Sequence, residues 1–180
     1  KEDNIYTDLN AACVMAGWDS LAGALTPLKG AAPTNSGFLD ADLDRGIGLQ
    51  GDGSSKYLDS NRAGDDDGQN DYHASVYCTV LPGIASSSAY ISCVPPGSVV
   101  GATLFSRTSV SPNDNVFRVR SSTNVTTSAS DGLIAGTRSS AAEFTYWDGT
   151  SEVTQAATSE TRPTSDHFVF ASAGGASLHS

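Results

Sequence analysis

Glu143 and Asp148 are the carboxylates that come nearest to an acid and a nucleophile on one strand, the arrangement that glycoside hydrolysis requires. Phe144, Thr145, Tyr146 and Trp147 stand between them, and that offset puts the two carboxyls on opposite faces of an extended chain. The spacing argues against hydrolysis. It leaves Glu143 as a solvent-facing residue and Asp148 as a turn former. His73, His167 and His179 lie in no GxSxG or comparable nucleophile motif. His73 and His167 open two predicted strands, where an imidazole serves as a partly buried hydrogen-bonding group. No catalytic residue is assigned, and the chain reads as non-enzymatic.

Asp65, Asp66, Asp67, Asn70 and Asp71 crowd one stretch, and hard oxygen ligands are what Ca²⁺ takes. Asp65, Asp67 and Asp71 are the candidate ligands; the competing expectation is no cofactor, with the charges solvated on a loop. The spacing matches no established calcium loop. Asp40-Ala41-Asp42-Leu43-Asp44 opens like an EF-hand loop, but Arg45 stands where its Gly belongs and Gly51 where its bidentate Glu belongs. Tyr57, Tyr72, Tyr90, Tyr146 and Trp147 are candidates to stack on sugars, since a ring pairs an apolar face with a polar edge. Adjacent Tyr146 and Trp147 point to opposite sides of a strand, so one of them faces out beside the Asp148-Gly149 turn. Tyr146, Trp147 and Asp148 form the candidate ligand-binding set. Asn124-Val125-Thr126 fits a glycosylation acceptor but reads as a polar turn.

The elements that must position these groups are short. Ile5, Leu9, Ala12, Cys13 and Ala16 recur at spacings of three and four, which predicts a helix from Ile5 to Ala16 with Gly17 as its stop. Beyond Gly17 the pattern turns to β. The predicted strands are Ile47 to Gln50, Lys56 to Asp59, Tyr72 to Val80, Ala89 to Val94, Gly101 to Ser106, Asn115 to Arg120, Gly132 to Thr137, Glu143 to Trp147 and His167 to Ser172. Asn115 to Arg120 alternates most clearly, with Val116, Arg118 and Arg120 on a wet side and Phe117 and Val119 on a buried one. Asp131-Gly132 and Asp148-Gly149 are hairpin signals, which predict a meander of adjacent antiparallel strands in the C-terminal half. Asn61 to Asp71, Ser121 to Ser130 and Ser151 to Asp166 read as polar loops, the last with a short strand around Val153.

Many short strands between Gly, Ser, Thr, Asn and Asp turns give an all-β class: an antiparallel two-sheet β-sandwich with one short N-terminal helix. Residues 1–17 form the helix and lead-in, and 18–180 the sandwich, within one domain. At 38% apolar residues, a chain of 180 residues can bury a sizeable core. The formal net charge of -10 repels phosphate backbones and argues against nucleic-acid binding. Cys13, Cys78 and Cys93 form an odd set without CxxC spacing, expected as buried thiols, with a Cys78 to Cys93 bridge as the alternative. No apolar run reaches the ~20 residues that span a bilayer, and no signal-peptide pattern opens the chain, so a soluble protein is expected.

Three segments resemble phage virion domains of the concanavalin A-like, laminin-G-like sandwich (jelly-roll) family, found in tail fibres and structural appendages. They are Leu25 to Thr34 (LTPLKGAAPT), Gly48 to Asn61 (GLQGDGSSKYLDSN) and Gly132 to Ser140 (GLIAGTRSS). The resemblance spans about Trp18 to Ser172. It implies an early strand-turn-strand at the second segment, where Gly51 and Gly53 permit a tight turn at Asp52, and a middle strand at the third that leads into a hairpin over Glu143 to Val153. It further implies a virion location after synthesis in the host cytoplasm, and a structural part in host adhesion or assembly. The implied partners are copies of the same chain in a homo-oligomer, other virion proteins and a host surface glycan. Family members continue past the Phe-rich strand, here His167 to Ala171, into a further strand and short helix, whereas a Gly-rich turn stands here. No catalytic or sugar-binding signature transfers. A lectin module outside a virion is the alternative, and a glycoside hydrolase a more distant one.

Overall fold

Strand alternation and frequent turns build two antiparallel sheets that face each other across a shared core. The computed structural model describes residues 5–52, 54–79, 88–94, 101, 103–107, 114–128, 131–172 and 177–178. Its strands are β1 (Thr34–Ser36), β2 (Leu43–Asp44), β3 (Gly48–Leu49), β4 (Tyr57–Ala63), β5 (Tyr72–Cys78), β6 (Ser88–Cys93), β7 (Thr103–Arg107), β8 (Asp114–Arg118), β9 (Val125–Ser128), β10 (Gly132–Arg138), β11 (Glu143–Trp147), β12 (Glu152–Ala156), β13 (Asp166–Val169), β14 (Ala171–Ser172) and β15 (Ser177–Leu178). The large sheet runs β1-β4-β13-β6-β7-β8-β9, and the small sheet β12-β11-β10-β5. Two short ribbons, β2-β3 and β14-β15, accompany them.

The core lies between the sheets. Phe105 and Phe117 from the large sheet meet Ile134, Phe144, Tyr146 and Tyr72 from the small one. Phe117 stacks on Tyr146 across the gap, with ring centroids 4.8 Å apart. Gly136 on β10 admits this packing, because a Cβ there would lie 2.8 Å from Phe105 and from Val119. Glycine is required there for close approach of the sheets.

Local sequence misjudged several elements. The helix expected from Ile5 to Ala16 covers only Ile5–Asp8 (α1). Beyond it Ala12 pairs with Lys29 through a 3.0 Å backbone bond, and the Cys13 thiol donates to the Ala24 carbonyl at 3.0 Å. These bonds compete with a short helix that has little stability of its own. A second single turn, Leu21–Ala24 (α2), is capped by Ser20, whose hydroxyl accepts from the Gly23 N–H. Asp131-Gly132 does not close a hairpin: β9 and β10 belong to different sheets, so the chain crosses the sandwich there. The meander is real from β10 to β12, and the Asp148-Gly149 turn joins β11 to β12 with Trp147 opposite Glu152.

β1, β2, β9 and β15 lie outside the strands expected, and β9 occupies the Asn124-Val125-Thr126 stretch assigned to a polar turn. β12 enlarges the short strand expected around Val153, and β4 runs three residues into the expected Asn61 loop. The wet side expected for β8 is also wrong: Arg118 and Arg120 are both buried. Arg120 follows the strand with φ 51°, a left-handed backbone that breaks the alternation and turns its side chain inward. Among the described residues, no helix is long and apolar enough to cross a membrane.

Candidate functional site

In the small sheet every second side chain enters the core, so the remainder form an outer face. Tyr72, Ala74, Val76 and Cys78 of β5 point inward, which leaves His73, Ser75 and Tyr77 outside. On β10 the outward set includes Leu133 and Ala135, and on β11 it is Glu143, Thr145 and Trp147. Strand register then assembles them. Tyr77 lies opposite Leu133, Ala135 opposite Trp147, and Trp147 opposite Glu152. Thr145 and Thr154 sit side by side, hydroxyl to hydroxyl at 3.3 Å. Tyr77 is 70% exposed and Leu133 44%, whereas Trp147 is half-buried. Ordinary strand spacing and rise put Tyr77 and Trp147 about 12 Å apart on this face.

Of the ligand-binding set expected from sequence, Trp147 remains on this face. Tyr146 does not. It lies in the core, with its ring face covered by Phe117, and offers no stacking surface. Asp148 acts locally: its Oδ1 accepts from the Thr150 N–H at 2.9 Å, the Thr150 hydroxyl at 2.7 Å and the Ser151 N–H at 2.9 Å. Burial pushes its carboxyl up, but these hydrogen bonds prevail and hold it below the usual carboxylate value. The sequence missed Tyr77 and Leu133. The offset that separates Glu143 from Asp148 also separates Tyr72 from Tyr77, so burial of one implied exposure of the other.

The expected calcium ligands are not brought together. Asp67 is drawn away by the Arg62 guanidinium and also accepts from the Asn10 amide at 3.2 Å. The Asp65 and Asp67 carbonyls accept from Arg162 Nη1 at 2.9 and 2.7 Å, which pins the loop from the side. Among the described residues, no three His, Cys, Asp or Glu side chains converge to hold a metal, and this includes Asp71. The Asp40–Asp44 run is likewise dispersed, with Asp40 accepting from the Leu21 N–H, Asp42 from Leu39 and Lys56, and Asp44 from Gly46 and Ile47.

A shallow polar cleft of about 560 Å³ lies beside the acidic loop, lined by Asp65, Gln69, Ser159, Glu160, Arg162 and Thr164. One of its two carboxylates is already engaged. Glu160 accepts from the Ser122 hydroxyl at 2.6 Å and the Gly101 N–H at 2.7 Å, and the Ser122 bond is the main reason it sits below its ordinary value. Glu143 is exposed on the outer face, while Asp148 is committed to its turn. The three thiols are free. His73 faces out on β5, yet partial burial still holds its imidazole below the ordinary value, while His167 is buried and hydrogen-bonded as expected. Tyr72 and Tyr90 belong to the core, and Tyr57 meets the Phe168 ring edge-on.

Comparison with family models, curated proteins and solved structures finds no match to this chain.

Proposed function

We propose that this chain is a non-enzymatic structural module of a phage virion, part of a tail fibre, appendage or capsid surface, and that it works by surface contact in host adhesion or particle assembly. The observation that carries the contact reading is the grouping of Tyr77, Leu133 and Trp147 on one outer face. Large apolar side chains gathered on an exposed sheet mark interaction surfaces more often than single scattered ones do. Aromatic residues are also enriched at such surfaces. The virion setting rests on the resemblance of segments 25–34, 48–61 and 132–140, and with it come a homo-oligomer, virion neighbours and a host glycan as partners. A lectin module outside a virion is the second reading. It is favoured by the placement of Trp147 beside the Thr145–Thr154 hydroxyl pair and Glu152, a ring next to polar groups.

The test is retention of the labelled chain on a panel of bacterial cells and on purified phage particles, with the double variant Tyr77→Ala, Trp147→Ala alongside. The expected result is retention that falls at least tenfold in the variant while its circular dichroism stays unchanged. Undiminished retention by the variant, or none by the parent on either surface, overturns the proposal. A glycan-array signal without retention on particles favours the lectin.

A further inference from the structure

His167 on β13 and Tyr72 on β5 belong to opposite sheets, and both are buried. His167 Nε2 lies 2.7 Å from the Tyr72 hydroxyl, and its Nδ1 lies 2.9 Å from the Arg62 carbonyl. The two rings stack at 5.6 Å with an interplanar angle of 13°. A carbonyl only accepts, so the network assigns the ring proton to Nδ1 and leaves Nε2 as the acceptor of the Tyr72 O–H. The Arg62 carbonyl is aimed by a register break between β4 and β13 around Asn61, whose φ is 54°. A bulge of this kind is a common device for redirecting one group.

We propose that Tyr72 and His167 form an acid-weakened latch between the two sheets, in which a proton taken up at Nε2 turns that nitrogen from acceptor to donor, so that the Tyr72 oxygen must accept and its O–H gives up its partner. The one bond formed is the Nε2–H bond; its proton comes from solvent and returns there when the pH is raised. On balance the surroundings oppose the imidazolium, although the Arg62 carbonyl at Nδ1 favours it. The Arg120 guanidinium, buried after β8 and 4.4 Å over the Tyr72 ring, repels it, and so does Arg62 on β4. Asp67 in the loop after β4 attracts it but is already paired with Arg62. Asp166 beside it on β13 also attracts it, although burial and then Asp59 push that carboxyl up and so favour its neutral form. The Cys93 thiol of β6 lies against the same cluster and is held neutral by burial.

Burial is also the main reason that His167 sits below its ordinary value of 6.5. The sign follows. Below pH 6.5 the unfolded chain takes up this proton and the folded chain resists it, so stability falls as pH drops from 6.5 toward the folded value. While the difference is one proton, the unfolding constant rises by up to about tenfold per pH unit.

The test is urea unfolding of the full chain between pH 7.5 and 4.5, compared with His167→Gln, whose amide keeps one donor and one acceptor but does not titrate. The parent should show the rising unfolding constant, and the Gln variant a markedly flatter line. Equal slopes overturn the latch. If the variant fails to fold, NMR titration of the parent's imidazoles decides: a His167 midpoint below 6.5 supports the latch, and one at or above 6.5 overturns it.

Discussion

Arg138 on β10 reaches across the sandwich to the carbonyl of Val119, donating from Nε at 3.0 Å and from Nη2 at 2.9 Å. Its Nη1 is shared among the carbonyls of Ser140, Glu143 and Ala157 at 3.0 to 3.1 Å. The side chain is fully buried, yet none of its nitrogens lacks an acceptor. A buried guanidinium is costly when unpaired, and here backbone oxygens replace the lost water. The same bonds tie the end of β8 to the small sheet.

Replacing Arg138 with Met should therefore destabilise the fold by about 3 kcal/mol or more, because several buried carbonyls lose their donor at once. Arg138→Lys should recover little, since an ammonium cannot reproduce the planar fork. Urea titrations at neutral pH measure both, and a loss below 1 kcal/mol in the Met variant contradicts the assignment.

Gly136→Ala should also destabilise, by about 1–3 kcal/mol through overpacking. The new methyl would meet Phe105 of the opposite sheet and Val119, which follows β8, and both are fully buried with little room to yield. The same urea titrations report the cost, and a variant as stable as the parent would mean that the sheets can part without penalty.

Asp52 controls a lower pH window than His167. Its carboxylate accepts from the Ser55 hydroxyl at 2.6 Å and from the N–H groups of Ser55, Ser54 and Lys56, and the Ser55 bonds are the largest cause of its low affinity for a proton. The folded value lies below the ordinary 3.8, so this contribution is present above pH 3.8 and is lost as pH falls beneath it. Asp52→Asn should flatten the dependence of melting temperature on pH below 4, and above pH 5 should lower the melting temperature by a constant amount without changing its slope. A melting series from pH 2 to 7 checks this.

Cys93 should resist thiol reagents in the native state. Burial pushes its thiol up to about 11, and its Sγ donates to the Ser165 carbonyl at 3.1 Å. At pH 8 roughly one part in a thousand is thiolate. Mass spectrometry of alkylated protein should find Cys93 unmodified until denaturant is added; early labelling would show that the β6–β13 region opens readily.

The regularity of the small sheet was open to inspection beforehand. Glu143 to Trp147 alternates cleanly and ends in Asp148-Gly149, so both the strand and its hairpin follow from local rules. The outer face was half legible, since adjacency alone requires Tyr146 and Trp147 to part but does not say which enters the core. Helix period misled at Ile5 to Ala16 because its apolar residues satisfy a helix face and a looser packed segment equally well. Arg120 gave no sign of its burial, for nothing in Val119-Arg120-Ser121 announces a positive φ.

The order of residues alone determined an acidic, strand-rich chain whose side chains sort into inward and outward sets, because alternation and turn chemistry act over a few neighbours. Only the folded arrangement decided that β9 and β10 part company, that the acidic loop is held by Arg62 and Arg162, and that Tyr72 meets His167. Each of these joins residues far apart in the chain. Such pairings depend on which sheet a strand enters, and that is settled by the burial of the whole core rather than by any local pattern.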